Sequence, residues 1–367
     1  MDLQSEVRGE SDNIVEKKQP ILSLCIPTYN RKEKLVRLVN GVLANVDSAA
    51  GNIEICISDN ASTDGTHEFL QQFSTCTNIK IITHEENNGF DYNYVSVFKM
   101  ATGKYVWVMG DDDTIMDNGL EKMLHLLQKE SPDYVYVHIA SSENDIPKYF
   151  PNVKPGRYPL SKLQTMLKKD GLDMFGFIGS HIFKKNAIEA LSPNDEKIYM
   201  GWPHIAILLT DSDDIKSFLV TEPLARQIGD GLVWTATNWV LVSLKKIDIL
   251  KHYKPVWADR NFVFYPIIKN TFLTKNVISN LMHAKLLEPQ RYVEIVDKTD
   301  HYLRKCKGTL KSVISVYYSV TLFIKHLPID FLLSRLKNQY YNNKVKGYKE
   351  MLVENASNEG YSRGNAD

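Results

Sequence analysis

Between residues 21 and 138 the chain alternates short apolar runs rich in β-formers with longer segments of helical periodicity, and that rhythm leaves few folds open. Five strands are expected, at 21–27 (ILSLCIP), 53–59 (IEICISD), 79–83 (IKIIT), 105–110 (YVWVMG) and 133–139 (DYVYVHI). Their near-continuous apolarity marks strands covered on both faces, as in a parallel sheet layered by helices. Helices are expected at 32–46, where Leu35, Leu38, Val39 and Val42 share a face, and at 64–73, 93–101 and 117–129. Thr63 or Asp64 is placed to cap the second of these and Asp117 the last.

After His138 the rhythm gives way to a polar, proline-rich stretch (ENDIPKYFPNVKPGRYP), then to mixed structure as far as Gly231; from Trp234 onward the pattern is mainly helical. The expected organisation is a disordered lead-in at 1–20, an α/β unit at 21–140, a mixed unit at 141–232, a helical region at 233–355 and a disordered tail at 356–367. Lys plus Arg equals Asp plus Glu at 44 each, which argues against a globally basic nucleic-acid binder. The balance is uneven along the chain, because residues 300–349 carry ten Lys or Arg against Asp300 and Asp330. Cys25, Cys56, Cys76 and Cys306 form no CxxC pair and read as reduced core thiols. The N-terminus lacks the apolar region of a signal peptide. The longest apolar run, 313–324, falls short of the roughly 18 residues of a membrane span.

In open α/β sheets, ligands bind beyond the carboxyl ends of the strands. Here those ends are unusually polar: Pro27-Thr28-Tyr29-Asn30-Arg31, Ser58 to Gly65, Asn87-Asn88-Gly89, and Gly110 followed by Asp111, Asp112 and Asp113. Any one of them reads as an ordinary turn. Four converging on one sheet edge read as a site. Three adjacent carboxylates repel one another unless a cation or donors compensate. A solvated acidic turn is the alternative, but the position after a buried strand favours a hard divalent cation, Mg²⁺ or Mn²⁺, shared with substrate phosphates. Neither GxGxxG nor GxxxxGK[ST] follows the first strand, so dinucleotide oxidoreductases and P-loop enzymes lose ground.

PTYNR at 27–31, SDNASTDGT at 58–66, NNGFDYN at 87–93 and the aspartates at 111–113, in this order and spacing, resemble the family 2 glycosyltransferases of GT-A fold. The resemblance implies a Rossmann-like α/β domain, its mainly parallel sheet flanked by helices, with 21–140 as the nucleotide-sugar-binding half and 141–232 as the acceptor-side half, followed by the helical C-terminal region. It further implies that Thr28, Tyr29, Asn30, Arg31 and Asp59 cradle the nucleoside. Asn88, Gly89, Asp91 and Asn93 match the segment that approaches the donor, although a helix cap accounts equally well for Asp91. Asp111 and Asp113 are the implied metal ligands, and Asp112 meets the donor sugar or ribose. In the commoner family pattern an aspartate stands where this chain has Gly110.

That glycine, with the downstream element Tyr199-Met200-Gly201-Trp202-Pro203-His204, resembles the abequosyltransferase-like branch, whose relatives add dideoxyhexoses to O-antigen units. FIGSHIFKK at 177–185 fits an acceptor-side strand. Inversion by direct displacement is implied, with His204 as the base, since an imidazole accepts a proton at neutral pH. A metal-ligand or packing role is the alternative for His204, Asp195 and Glu196 are rival bases, and Asp211, Asp213 and Asp214 read as a solvated loop. His181 is either an acceptor contact or core. The implied partners are a nucleotide-sugar donor and a surface-glycan acceptor. A lipid-linked acceptor would place a cytoplasmic enzyme at the inner membrane face. Run 313–324, with Arg304, Lys305, Lys307, Lys311 and Lys325 about it, would then lie in the interface, or else pack against the chain or a second subunit. A nucleotidyltransferase and a non-catalytic member of a glycan-assembly complex are the competing classes.

Overall fold

The computed structural model describes residues 19–46, 51–140, 153–163, 177–186, 215–228, 244 and 275–328. The α/β unit runs β1 (Leu22–Thr28), α1 (Lys32–Val46), β2 (Ile53–Asp59), α2 (Thr66–Gln71), β3 (Ile79–Thr83), α3 (Gly89–Met100), β4 (Tyr105–Val108), β5 (Asp113–Ile115), α4 (Gly119–Glu130) and β6 (Tyr134–Ala140). Next come β7 (Gly156–Pro159), a 3₁₀ turn (Ile178–Ser180), β8 (His181–Lys184) and β9 (Lys216–Gln227). Three further helices are α5 (Lys275–Leu287), α6 (Pro289–Lys305) and α7 (Gly308–His326).

The strands form one sheet in the order β3-β2-β1-β4-β8-β6-β9-β5, with β7 also paired to β9. β1 to β4 are parallel neighbours. The sheet beyond them is mixed, which refines the expectation of a mainly parallel one. β8 runs antiparallel to both β4 and β6, so it separates β6 from β4 while leaving the two pointing the same way. The strand expected at 177–185 is therefore interior to the sheet.

The continuous apolarity of the strands follows from cover on both faces. On one side Leu22, Leu24, Ile26, Tyr105, Trp107 and Met109 pack with Leu35, Leu38, Val39 and Val42 of α1 and with α4. On the other, Cys25, Cys56, Val106 and Val108 meet Tyr94, Val97 and Ala101. Three of the four cysteines are buried, and none of the four is in a disulfide.

Three helix starts differ from expectation, the first being α2, which begins at Thr66 with Gly65, not Thr63 or Asp64, at its cap position. α3 begins at Gly89, so Asp91 and Asn93 lie within it and Asp91 is not its cap. α4 is entered through Asn118 in a left-handed conformation (φ 58°) rather than capped by Asp117. Asp64 serves two helices: one oxygen accepts from the Thr66 N–H at the start of α2 and the other from the Lys32 N–H at the start of α1, at 3.1 and 2.8 Å.

In the C-terminal region, α7 turns Val313, Ile314, Tyr317 and Ile324 inward. Tyr292 on α6 donates to the Thr321 carbonyl at 2.9 Å, and Lys285 on α5 donates to the carbonyls of Ile324, Lys325 and Leu327 at the end of α7. A cation placed there complements the negative end of the helix. Most of the apolar run 313–324 is thus occupied by packing; Val316 and Phe323 stay exposed. No helix among the described residues is long and apolar enough to cross a membrane.

Candidate active site

Parallel pairing brings the strand ends to one level: Thr28 is the register partner of Asp59, and Asp59 of Thr83. The loops that follow are bound to one another. Asn30 takes a left-handed conformation (φ 50°), donates its N–H to Ser62 Oγ at 2.8 Å and accepts the Thr63 N–H at 2.8 Å. Asn60 donates its N–H to the Thr28 carbonyl, while its side chain reaches Asn87, Asn88 and Gly89. A third tie comes from Asn93, whose Nδ2 donates to the Thr28 carbonyl at 3.0 Å. The non-glycine residue Ala61 is also left-handed (φ 64°), a conformation that persists only where its surroundings enforce it.

Within this frame Asp59 is fully buried. Its Oδ1 accepts from the Ser62 N–H and hydroxyl, while Oδ2 is buried without a hydrogen-bond partner. A buried acceptor in that condition costs free energy until a donor reaches it. Tyr29 is 41% exposed at the same edge, an aromatic ring left open to solvent.

The aspartates after β4 are placed unequally. Asp111 is buried, with Oδ2 accepting from Thr28 Oγ1 at 2.8 Å and Oδ1 from Arg31 Nη1 at 2.7 Å. Arg31 also lies 3.6 Å from Asp112. Burial pushes the Asp111 carboxyl above its ordinary range, and the Arg31 charge offsets only part of this. Asp113 is buried too, with Oδ1 lacking any partner; burial and then the Asp112 charge push its carboxyl well above the usual range. A Cβ at Gly110 would stand 2.9 Å from Asp112 Oδ1 and 3.0 Å from Asp113 Oδ2, so one or both carboxylates would have to shift to admit it. On the far side of Asp113 is Gly179, whose carbonyl accepts from Trp107 Nε1 at 2.7 Å.

The structure thus brings together Thr28, Asn30, Arg31, Asp59, Asn88, Gly89, Asn93, Asp111, Asp112 and Asp113 through direct contacts, strand register or shared loops. Ser62 and Asn60 hold that arrangement and were not singled out from sequence; both lie inside the SDNASTDGT motif, the only signal that could have marked them. His181 resolves to core: it is buried, 2.9 Å from the Tyr134 hydroxyl and stacked with Phe183. His204, Asp195, Glu196, Asp211, Asp213, Asp214 and the 199–204 element lie outside the described residues.

Among the described residues no three His, Cys, Asp or Glu side chains are grouped to hold a metal ion. The residues present fit a divalent ion that takes few protein ligands: Asp113 offers a bare, buried carboxylate oxygen, and one or two carboxylates plus substrate phosphates is the usual Mg²⁺ arrangement.

Residues 23–192 match the family model of glycosyl transferase family 2. Among curated proteins, the chain is 30% identical to the abequosyltransferase RfbV of Salmonella typhimurium over 52% of this chain and 60% of that one. It is 32% identical to the putative teichuronic acid biosynthesis glycosyltransferase TuaG of Bacillus subtilis over 31% of this chain and 44% of that one. At 24% identity, the Escherichia coli UDP-Glc:alpha-D-GlcNAc-diphosphoundecaprenol beta-1,3-glucosyltransferase WfgD aligns with 62% of this chain and 94% of its own. The chain therefore spans three fifths or less of the first two of these relatives. The crystal structure of S. aureus TarS 1-349 in complex with UDP shares the fold, with a TM-score of 0.55 at 13% identity over 83% of this chain and 88% of that one.

Proposed function

We propose that the family 2 glycosyltransferase domain at residues 23–192 transfers a sugar from a nucleotide-sugar donor to a glycan acceptor in surface-polysaccharide assembly, with inversion at the anomeric carbon. The observation that carries this reading is Asp59 Oδ2, a buried, unpartnered acceptor at the strand-end edge beside an exposed tyrosine. A pyrimidine N–H or a ribose hydroxyl supplies the donor that this oxygen lacks, and the Tyr29 ring packs on the base. Ser62 holds the other carboxylate oxygen, so the bare one is presented in one direction.

A divalent ion, Mg²⁺ or Mn²⁺, bound at Asp113 would supply positive charge to the diphosphate of the donor. Asp112, on the open side of the cluster, meets the donor sugar or ribose. In the displacement, an acceptor hydroxyl oxygen forms the new bond to the anomeric carbon as the bond to the phosphate oxygen breaks; His204 takes the hydroxyl proton. Replacing His204 with Ala should then cut turnover by about 10² to 10⁴ while donor affinity holds. A small effect on turnover would remove it from proton transfer.

Two donor classes are supported. The likeness to an abequosyltransferase and the Gly110 variant favour a CDP-dideoxyhexose such as CDP-abequose, and the likeness to a glucosyltransferase named for UDP-Glc favours a UDP-hexose. The latter relative's name also carries a diphosphoundecaprenol acceptor, which supports a lipid-linked glycan and work at the cytoplasmic membrane face. Exposed Lys307, Lys311 and Lys325 suit an anionic leaflet. Thermal shift with UDP, CDP and GDP in the presence of Mn²⁺ tests the donor reading, followed by hydrolysis of the corresponding nucleotide sugar. Stabilisation by CDP above UDP selects the dideoxyhexose class, release of pyrophosphate from a nucleoside triphosphate offered with a sugar 1-phosphate would replace the reading with nucleotidyl transfer, and no response to any nucleotide would end it.

A further inference from the structure

We propose that Arg31 is a positioning residue: it holds Asp111 as a built-in counter-ion and so reserves the divalent cation for Asp113. The inference rests on the donor reading above and gives Arg31 a task other than touching the nucleoside. Both oxygens of Asp111 are engaged, one by Arg31 Nη1 at 2.7 Å and the other by Thr28 Oγ1 at 2.8 Å. Thr28 is itself fixed, its carbonyl accepting from the Asn60 N–H and Asn93 Nδ2 at 3.0 Å each. Asp111 is therefore clamped by donors 80 and 83 residues away in sequence, at a strand end braced by the loop after β2 and by α3.

Asp113 differs in kind. It is 2% exposed, and its Oδ1 is buried with no donor. The bare Cα of Gly110 lets the Asp112 and Asp113 carboxylates approach from the same side, so negative charge accumulates around one point. Arg31 supplies a single positive charge to three carboxylates, and a guanidinium cannot give up its proton in a protein. Arg37 reaches only the Asp112 carbonyl, at 3.2 Å, so the carboxylates keep a surplus of negative charge. Without the guanidinium, Asp111 Oδ1 would be released as a second oxygen ligand and the cluster would be one unit more negative, and both changes strengthen cation binding. The wild-type clamp thus keeps the affinity of the free enzyme for metal low.

The test is direct titration of the full chain with Mn²⁺, following the free ion by electron paramagnetic resonance, with thermal melts to verify folding. Arg31→Gln should bind Mn²⁺ about fivefold more tightly than wild type, and Arg31→Lys, which keeps the charge, should stay within about twofold. Adding Asp111→Asn to Arg31→Gln should cancel the gain. If Arg31→Gln does not fold, the single variants decide: Asp111→Asn should keep the Mn²⁺ Kd within about threefold of wild type while Asp113→Asn weakens it by about tenfold or more. No tightening in Arg31→Gln, a gain that survives in the double variant, or equal losses in Asp111→Asn and Asp113→Asn would each overturn the assignment. None of these readouts involves sugar transfer, so the donor reading stands or falls separately on nucleotide binding.

Discussion

Two carboxylates five residues apart on β2 are both buried and have opposite fates. Glu54, at the start of the strand, is saturated: it accepts from Ser23 Oγ, the Thr102 N–H and hydroxyl and the Gly103 N–H, and pairs with Lys80 Nζ at 2.7 Å. Asp59, at the end of the strand, has one oxygen held by Ser62 and the other bare. The same contrast separates the two edges of the sheet, because Asp113 beside β4 is also left with an open oxygen. Glu54 has its donors supplied by the chain. Asp59 and Asp113 are each short of one, and the fold bears the cost.

The largest expected effect comes at the open edge. Asp113→Asn should lower sugar transfer by about 10² to 10³ while the melting temperature of the metal-free protein does not fall, since a desolvated charge has been removed. Unchanged transfer kinetics would mean that the bare oxygen has no partner in the reaction.

Glu54→Ala should do the reverse. It leaves the Thr102 N–H without its acceptor, and leaves Lys80 with only Thr102 Oγ1 and the Gly103 N–H with only Ser23 Oγ; it should cost about 3 kcal/mol of stability, read by chemical denaturation, with nucleotide affinity unchanged. The same residue predicts a pH dependence. Burial alone would raise the Glu54 carboxyl, but the Lys80, Ser23 and Thr102 donors outweigh it and hold it at about 2. A depressed carboxyl adds stability above its unfolded pKa and loses it as pH falls through the folded value. The loss therefore falls between pH 4.5 and about 2, and Glu54→Gln should flatten the stability curve over that window.

Asp59→Ala should weaken nucleotide binding by about tenfold or more, the worth of a hydrogen bond to a charged acceptor, and leave stability little changed. Calorimetric titration with the nucleotide found in the thermal screen measures it, and an unaltered Kd would reduce Asp59 to a turn residue. The smallest effect is Lys80→Ala, because its ammonium is 38% exposed and the other Glu54 donors remain; about 1 kcal/mol or less of stability should be lost. A loss as large as that of Glu54→Ala would show that the Glu54 site depends on one ion pair rather than on its whole set of donors.

Much of the α/β unit at 21–140 was legible in the sequence. The strand at 53–59 and the helix at 32–46 stand where the apolar patterns put them, since a strand buried on both faces and a helix buried on one each leave a local signature. The start of α3 was not legible: the pattern puts the helix at 93, yet it begins at Gly89, because Asn60 from the neighbouring loop ties down the segment through Asn87 and Gly89. Nor was the place of β8, whose partners β4 and β6 lie far away along the chain.

The site divides along the same line. By itself, the sequence determined that Thr28, Asp59 and the triplet Asp111 to Asp113 follow apolar strands, and parallel strands joined by helices must carry such residues to one edge. Only the tertiary structure decided that Asp111 is clamped by Thr28 and Arg31, that Asp113 keeps a bare oxygen, and that the Asp112 and Asp113 carboxylates close in on Gly110. The order of residues along a chain specifies where a carboxylate is carried. Whether that carboxylate is satisfied depends on donors the fold brings from distant segments, and no local pattern records them.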